Sequence, residues 1–175
     1  PQDLVVWPEA PTPRSMFADE AIHAFTLKQA ARTGAPLLLG TVEPGAENVP
    51  ASSERHEVAL YNAAILIGDK DLPMQSYRKR HLVPFGEFLP LRPLLPEAIR
   101  ALVPGDITPG RDANLLHLSK PRVRIGALVC FEDSLARETR DLAREGAQIL
   151  VNLTNDGWFA QSAAAEQHLA NAKFR

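Results

Sequence analysis

The residue in this sequence best suited to nucleophilic chemistry is Cys130, its only cysteine. It ends the apolar run 125–129, and Phe131, Glu132 and Asp133 follow it. This pattern predicts a thiol at the tip of a buried strand, beside the start of a helix whose N-terminal dipole favours the thiolate. We therefore predict that Cys130 is a nucleophile. The alternative is an inert thiol in the core, where free cysteines are commonly found.

Two charged residues elsewhere in the chain also lie at or within predicted strands. Glu9 follows a short apolar run and Pro8, so its carboxylate lies where a strand ends, the usual place for catalytic groups in α/β sheets. Lys79 lies between Arg78 and Arg80 among strand-forming residues. Strand alternation points Lys79 inward and both arginines outward, or the reverse. The alternatives are a surface carboxylate in a turn and a solvated lysine.

The order Glu9, Lys79, Cys130, with the first and last at strand ends, resembles the catalytic triad of the nitrilase superfamily. Longer segments narrow the resemblance: 77–90, 130–132, the Asn-Asp-Gly-Trp-Phe run within 152–159, and 167–169. They are similar to the nitrilase-like domain of the apolipoprotein N-acyltransferases, a family of bacterial inner-membrane enzymes. The resemblance extends from Trp7 to the last residue.

The resemblance implies a role for each matching residue. Cys130 would attack the substrate, with Glu9 as general base, and Lys79 would stabilise the oxyanion together with the backbone N–H of Phe131. Glu87 and Glu132 match accessory carboxylates, which we expect to orient Lys79 and shape the pocket. The alternative for Glu132 is an acid that only stabilises a helix N-terminus.

The activity implied by the resemblance is transfer of an acyl chain from a phospholipid, through a cysteine thioester, to the N-terminal amine of a diacylglyceryl-cysteine lipoprotein. The catalytic domain would face the periplasm at the bacterial inner membrane, held there by membrane segments that this sequence does not contain. One alternative is a soluble carbon–nitrogen hydrolase, an amidase or nitrilase, with the same triad and water as acceptor. Another is a binding or scaffold domain without catalysis.

Composition limits the other possibilities. The chain is 45% hydrophobic and 23% charged, as in a globular domain, and its net charge of −2 without a basic stripe argues against nucleic acid as a partner. No apolar run approaches the roughly 20 residues of a membrane helix. The histidines lack metal-ligand spacing, and no phosphate or dinucleotide motif is present, so we predict no metal and no cofactor.

Apolar strands alternating with amphipathic helices predict an α/β fold. The resemblance implies a four-layer αββα sandwich over 1–175, expected to be incomplete at both ends because Pro1 is not an initiator methionine. We predict helices at 20–33, 97–103, 134–145 and 163–175, the first capped by Asp19 and ended by Gly34. Predicted strands are 4–7, 36–42, 58–68, 74–81, 114–118, 123–129 and 147–153, with 43–57 as a loop.

The segment 83–109 is predicted to be an irregular excursion, because prolines interrupt its large apolar residues. We expect it to form a lid or membrane-facing surface that guides acyl chains toward Cys130. The candidate lipid contacts are Phe85, Phe88, Leu91, Leu94 and, outside the segment, Trp158. The alternative is that the segment packs on its own domain as a satellite core.

Overall fold

Two β-sheets form the centre of the protein. The computed structural model describes residues 2–49, 57–101, 105–159 and 162–174. The first sheet has the order β1-β2-β3-β4, with strands Val5–Val6, Leu37–Val49, Glu57–Ile67 and Gln75–Arg78. The second sheet has the order β5-β6-β7, with strands Leu116–Leu118, Val123–Val129 and Ile149–Leu153. The pairs β1–β2 and β6–β7 are parallel, and the other neighbours are antiparallel.

Helices within these ranges are α1 Glu20–Thr33, α2 Glu97–Arg100, α3 Ala136–Arg144 and α4 Ala164–Lys173. Short 3-10 turns span Arg92–Leu94, Cys130–Ser134 and Asp156–Phe159. The predicted bounds of α1 are confirmed. Asp19 Oδ1 accepts the backbone N–H groups of Ala21 and Ile22 at 3.0 and 3.1 Å, and Gly34 ends the helix at φ +67°. None of the helices in the described ranges is long and apolar enough to cross a membrane.

The first sheet is buried on both faces because alternate residues of its strands point in opposite directions. The face toward α1 carries Leu37, Leu39, Ala63, Ile65 and Ile67. The opposite face carries Leu38, Ala64 and Leu66, which pack against the second sheet. On the far side of that sheet α3 lies close to β6, since a Cβ added at Gly126 would meet Leu142 Cβ at 3.1 Å. The predicted αββα order of layers is therefore confirmed.

The predicted loop 43–57 is wrong at both of its ends. Strands β2 and β3 continue their antiparallel pairing as far as Val49 and Glu57, with a register shift between Pro44 and Asn48. Pairing across a long hairpin outweighs the local signals of proline and glycine when a bulge absorbs the irregularity. Residues 50–56 lie outside the described ranges. The helix predicted from 134 begins at Ala136, because the 3-10 turn after Cys130 precedes it.

The excursion 83–109 is irregular apart from the Arg92–Leu94 turn and α2, and residues 102–104 of it are not described. Hydrogen bonds hold the last part of the excursion against its first part. The Ile107 N–H donates to the Glu87 carbonyl at 2.8 Å, and the Arg92 guanidinium donates two bonds to Asp106 at 2.7 and 2.8 Å. Leu89 is buried beneath the segment, and Phe88 is half-buried.

The candidate lipid contacts on this excursion are largely exposed. The exposed fractions are 66% for Phe85, 71% for Leu91 and 79% for Leu94. The lid or membrane-facing surface stays a prediction, with which these large exposed apolar side chains agree.

Candidate active site

Cys130 lies at the junction of β6 and a 3-10 turn, and its backbone is in the left-handed region at φ +52°. Residues with a Cβ rarely adopt this conformation, and it occurs often at functional sites. The thiol is half-buried. The backbone N–H of Phe131 and the hydroxyl of Thr154 lie on the side of the sulfur where they lower the pKa of the thiol. The Phe131 ring itself is 48% exposed.

The pKa of the Cys130 thiol is raised above its ordinary value. Burial is the largest cause, and the Glu9 carboxylate adds to it, while Lys79, the Thr154 hydroxyl and the Phe131 N–H act in the opposite direction. The Phe131 N–H in the 3-10 turn Cys130–Ser134 favours the thiolate, in the direction expected of a helix N-terminus, but burial and the Glu9 charge outweigh it.

Glu9 is held at the end of β1 by close backbone packing. The backbone N–H of Gly40 donates to the Pro8 carbonyl at 3.1 Å, and a Cβ added at Gly40 would lie 2.7 Å from Glu9 Cα. Only glycine at position 40 lets the two segments approach so closely. The half-buried Glu9 carboxylate then faces the sheet rather than bulk solvent.

Asn62, in the middle of β3, joins the two carboxylates of the site. Its Nδ2 donates to Glu9 Oε1 and to Glu87 Oε1, each at 2.7 Å. The other Glu87 oxygen contacts Lys79 Nζ at 2.8 Å and accepts the Val83 N–H at 2.8 Å. Glu9, Asn62, Glu87 and Lys79 thus form one continuous network. The sequence analysis gave Asn62 no role; the available signal was a single amide within a long apolar strand.

Lys79 is buried, with 1% of its side chain exposed, and does not match the solvated alternative. Arg78 lies on the other face, where it pairs with Glu43 at 2.8 Å and stacks on the Tyr61 ring. Arg80 differs from the simple alternation, because the strand ends at Arg78 and the chain turns. Its guanidinium is 12% exposed and pairs with the buried Glu138.

Glu132 is fully buried. Within the described part of the chain, none of its hydrogen bonds is to the Lys79 ammonium. Its carboxylate accepts the Tyr77 hydroxyl at 3.1 Å and the backbone N–H groups of Val129, Arg80 and His81 at 2.9, 2.7 and 3.1 Å. Burial raises the pKa of Glu132, and these bonds only partly oppose it. Glu132 joins the cysteine turn to the segment after β4 and holds the backbone N–H of Arg80, next to Lys79, so its role in orienting Lys79 stays a prediction.

His81, Glu132 and Glu138 offer ligand atoms within 4.8 Å of one another, as a metal site would. The Arg80 guanidinium already pairs with Glu138, however, and His81 Nδ1 contacts the same carboxylate at 3.0 Å. A cation held by the protein itself therefore neutralises this cluster, which makes it a poor site for a metal ion.

A second polar cluster lies behind the cysteine turn. His168 of α4 contacts Asp133 Oδ1 through Nε2 and Asp156 Oδ1 through Nδ1, each at 2.8 Å. Burial lowers the pKa of His168, but the bonds to Asp156 and Asp133 outweigh it, and the pKa is raised. No sequence signal pointed to this cluster, because Asp133 and Asp156 are distant from His168 along the chain. The Trp158 side chain, a candidate lipid contact, lies outside the described part of the structure.

Solved structures share this fold. A Nesterenkonia amidase of the nitrilase superfamily matches 97% of this chain, which covers 58% of the amidase, with a TM-score of 0.58 and 18% identity. A carbon-nitrogen hydrolase from Helicobacter pylori matches 98% of the chain, which covers 57% of that protein, with a TM-score of 0.56 and 21% identity. At these identities the likeness concerns the fold alone.

The carbon-nitrogen hydrolase family model matches residues 1–175, and the chain belongs to this family. Curated relatives are more specific in name. The chain is 38% identical over 177 residues to an apolipoprotein N-acyltransferase of Geobacter metallireducens, with 100% of the chain and 32% of the relative covered. It is 37% identical to an apolipoprotein N-acyltransferase of Methylococcus capsulatus, with 98% and 32% covered. The chain spans about a third of the length of these relatives.

Proposed function

We propose that this chain is the catalytic part of an apolipoprotein N-acyltransferase located at the bacterial inner membrane, with its active site facing the periplasm. The observation that carries the proposal is the network of Glu9, Asn62, Glu87 and Lys79 beside Cys130. It supplies a carboxylate base, a buried cation and a sulfur at a left-handed turn, which together suit attack on an acyl carbonyl. The names of the similar proteins support lipoprotein acylation as the reaction.

In the first half-reaction, Glu9 removes the Cys130 thiol proton and the sulfur attacks the carbonyl carbon of a phospholipid ester. The raised pKa of the thiol makes a neighbouring base necessary, because little thiolate forms at rest. Lys79 and the Phe131 N–H stabilise the tetrahedral oxyanion. The intermediate then expels the lysophospholipid alkoxide, which takes the proton from Glu9, and a thioester on Cys130 remains.

In the second half-reaction, the N-terminal amine of the diacylglyceryl-cysteine lipoprotein attacks the thioester carbonyl. Glu9 accepts a proton from the amine, the same two donors stabilise the oxyanion, and the Cys130 thiolate leaves and is reprotonated. The product is an amide. Glu87 positions the Lys79 side chain through the 2.8 Å contact between its carboxylate and Nζ. No cofactor takes part in these steps.

The exposed apolar residues of the excursion 83–109 have a proposed role in lipid access. Phe85, Leu91 and Leu94 are the side chains we propose to contact the membrane or the donor acyl chain, with Phe88 half-buried beneath them. Apolar side chains of this kind insert into the headgroup region while the catalytic body remains in water.

Mass spectrometry of peptides containing Cys130 tests the proposed function. The full-length protein is incubated with phospholipid vesicles, and peptides containing Cys130 are examined for a hydroxylamine-sensitive acyl adduct. We expect the adduct in the wild type and none in Cys130→Ser, because a serine hydroxyl is much less acidic than a thiol. Turnover of small amides without lipid labelling would favour the carbon–nitrogen hydrolase instead. Undiminished thioester labelling in Cys130→Ser would remove Cys130 from the mechanism.

A further inference from the structure

The geometry around His168 requires a positively charged ring. Nε2 and Nδ1 each lie 2.8 Å from a carboxylate oxygen, of Asp133 and Asp156 respectively, and the side chain is 9% exposed. A neutral imidazole has one N–H and would leave its other nitrogen facing a carboxylate, whereas the imidazolium donates to both. The other charged side chains of α4, Glu166 and Lys173, are exposed.

Asp133 and Asp156 each connect His168 to the surroundings of Cys130 through one further side chain. Asp133 Oδ2 accepts Asn152 Nδ2–H at 2.5 Å, and the same nitrogen donates to the Cys130 carbonyl at 3.2 Å. On the other side, Asp156 Oδ1 accepts the Thr154 hydroxyl at 3.1 Å, and the same hydroxyl lowers the pKa of the Cys130 thiol. One branch therefore contacts the cysteine backbone and the other its thiol.

The Thr154 hydroxyl has one proton and two competing acceptors, Asp156 Oδ1 and the Cys130 sulfur. His168 Nδ1 donates to the same Asp156 oxygen. A charged donor on this oxygen reduces its demand for the threonine proton, because a charge-assisted hydrogen bond is stronger than a neutral one. The threonine proton is then available to the sulfur once negative charge develops there.

We propose that His168 is a positioning residue for Cys130: through Asp156 it directs the Thr154 hydroxyl toward the sulfur, and through Asp133 and Asn152 it holds the cysteine turn. The inference rests on the proposed role of Cys130 as the nucleophile. Without His168 the Asp156 oxygen competes more strongly for the Thr154 proton, and two carboxylates without a cation remain behind the thiol. Both changes disfavour the thiolate.

The charged groups near His168 and Cys130 come from several elements that pack around them. Asp133 and Glu132 belong to the cysteine turn, but the Glu132 oxygens are occupied by Tyr77 and backbone N–H groups. Asp156 comes from the 3-10 turn after β7. Glu9 and Lys79 influence the thiol from the opposite side. They are unaltered by a change at position 168, so a difference between variants reports on His168.

The test measures alkylation of Cys130 by iodoacetamide as a function of pH in the full-length protein, resolved by peptide mass spectrometry. For His168→Gln we expect the profile to move to higher pH by about one unit, which is about tenfold slower alkylation near neutral pH. The two rates should converge at alkaline pH, where the thiol is ionised in both proteins. An unchanged profile overturns the proposal, and so does a rate reduced by the same factor at every pH.

His117→Gln is the matched control, because His117 is exposed on β5, and its profile should equal that of the wild type. Thr154→Val should shift the profile in the same direction as His168→Gln, and Thr154→Ser, which keeps the hydroxyl, should restore it. If His168→Gln fails to fold, the comparison of Thr154→Val with Thr154→Ser tests the proposal instead. A wild-type profile in Thr154→Val then overturns it. When His168→Gln and Thr154→Val are combined, the shift of the pH profile should be smaller than the sum of the two single shifts. Additive shifts overturn the proposal.

These experiments separate the inference from the proposed function. Alkylation needs no acyl donor or acceptor, so it reports on the Cys130 thiol even if phospholipid is not the substrate. Failure of phospholipid labelling in the wild type counts against the proposed function, whereas the pH profiles of the variants count for or against the role of His168.

Discussion

At the scale of single residues, the site combines a thiol that is protonated at rest with a carboxylate close enough to raise its pKa. A nucleophile of this kind depends on its base in every cycle, unlike a cysteine that is already ionised. Glu9, the proposed base, is held from two directions, by the packing of its backbone on Gly40 and by Asn62.

Glu9→Gln should slow formation of the Cys130 thioester by about 10²-fold or more, since proton removal is lost. The glutamine carbonyl can still accept the Asn62 hydrogen bond, so the free energy of unfolding should change little. Acylation rates and denaturant unfolding, measured beside the exposed control Glu20→Gln, check both parts. An acylation rate within a few-fold of the wild type would support the alternative that Glu9 is only a surface carboxylate in a turn.

Asn62→Leu should lower the free energy of unfolding by about 1–3 kcal/mol, because Glu9 and Glu87 each lose a donor in a partly buried site. Two carboxylates without the bridging amide also repel each other, so thioester formation should slow as well. Asn114→Leu, at an exposed position, is the control for the substitution itself. Equal stability of the two variants in denaturant unfolding would contradict the bridging role.

At the scale of elements, Glu132 connects the turn after β6 to the end of β4 by accepting the Tyr77 hydroxyl and three backbone N–H groups. Both segments carry a proposed catalytic residue. The distance between Cys130 and Lys79 therefore depends on a buried carboxylate that belongs to neither the base nor the nucleophile.

The raised pKa of Glu132 predicts a pH dependence of stability. The folded state keeps a proton that the unfolded chain loses as the pH rises above about 4.5, so the free energy of unfolding falls between that pH and the folded-state pKa. Glu132→Gln is uncharged at every pH and should flatten this fall. Denaturant unfolding across the acidic range measures the slope, with Glu145→Gln as an exposed control. An unaltered slope would show that Glu132 does not cause it.

At the scale of the whole molecule, one sheet-on-sheet core supports a catalytic site at the strand ends and an apolar surface on the excursion 83–109. The two are connected through Glu87, which pairs with Lys79 and whose backbone carbonyl accepts the N–H of Ile107. Glu87 therefore joins the excursion to the buried lysine.

Leu91→Ser with Leu94→Ser tests the lipid-facing surface. Because these side chains are 71% and 79% exposed, we expect stability to be retained, binding to phospholipid vesicles to weaken, and acylation by phospholipid to slow. Labelling of Cys130 by a small activated ester should be preserved. Leu169→Ser, at an exposed position on α4, is the control. Unfolding of the double variant, or equal loss of both labelling reactions, would identify the segment as core.

The sequence by itself determined most elements of secondary structure and the order of the chemical groups along the chain. The capped helix α1, the β5–β6 pair and the cysteine at the end of β6 follow from local signals between neighbouring residues. The sequence also determined the family resemblance, because that depends on short segments. The length of β2 was misjudged, since its pairing with β3 outweighed the turn residues that follow Val42.

Only the tertiary structure decided which side chains meet. Asn62 reaches Glu9 across 53 positions of sequence, His168 reaches Asp133 across 35, and Arg80 turns inward to Glu138. The same holds for the Cys130 thiol, where burial and the Glu9 charge outweigh the effect expected from a helix terminus. Periodicity reports on which face a residue occupies, but hydrogen bonds and pKa values depend on partners that packing brings within a few ångströms.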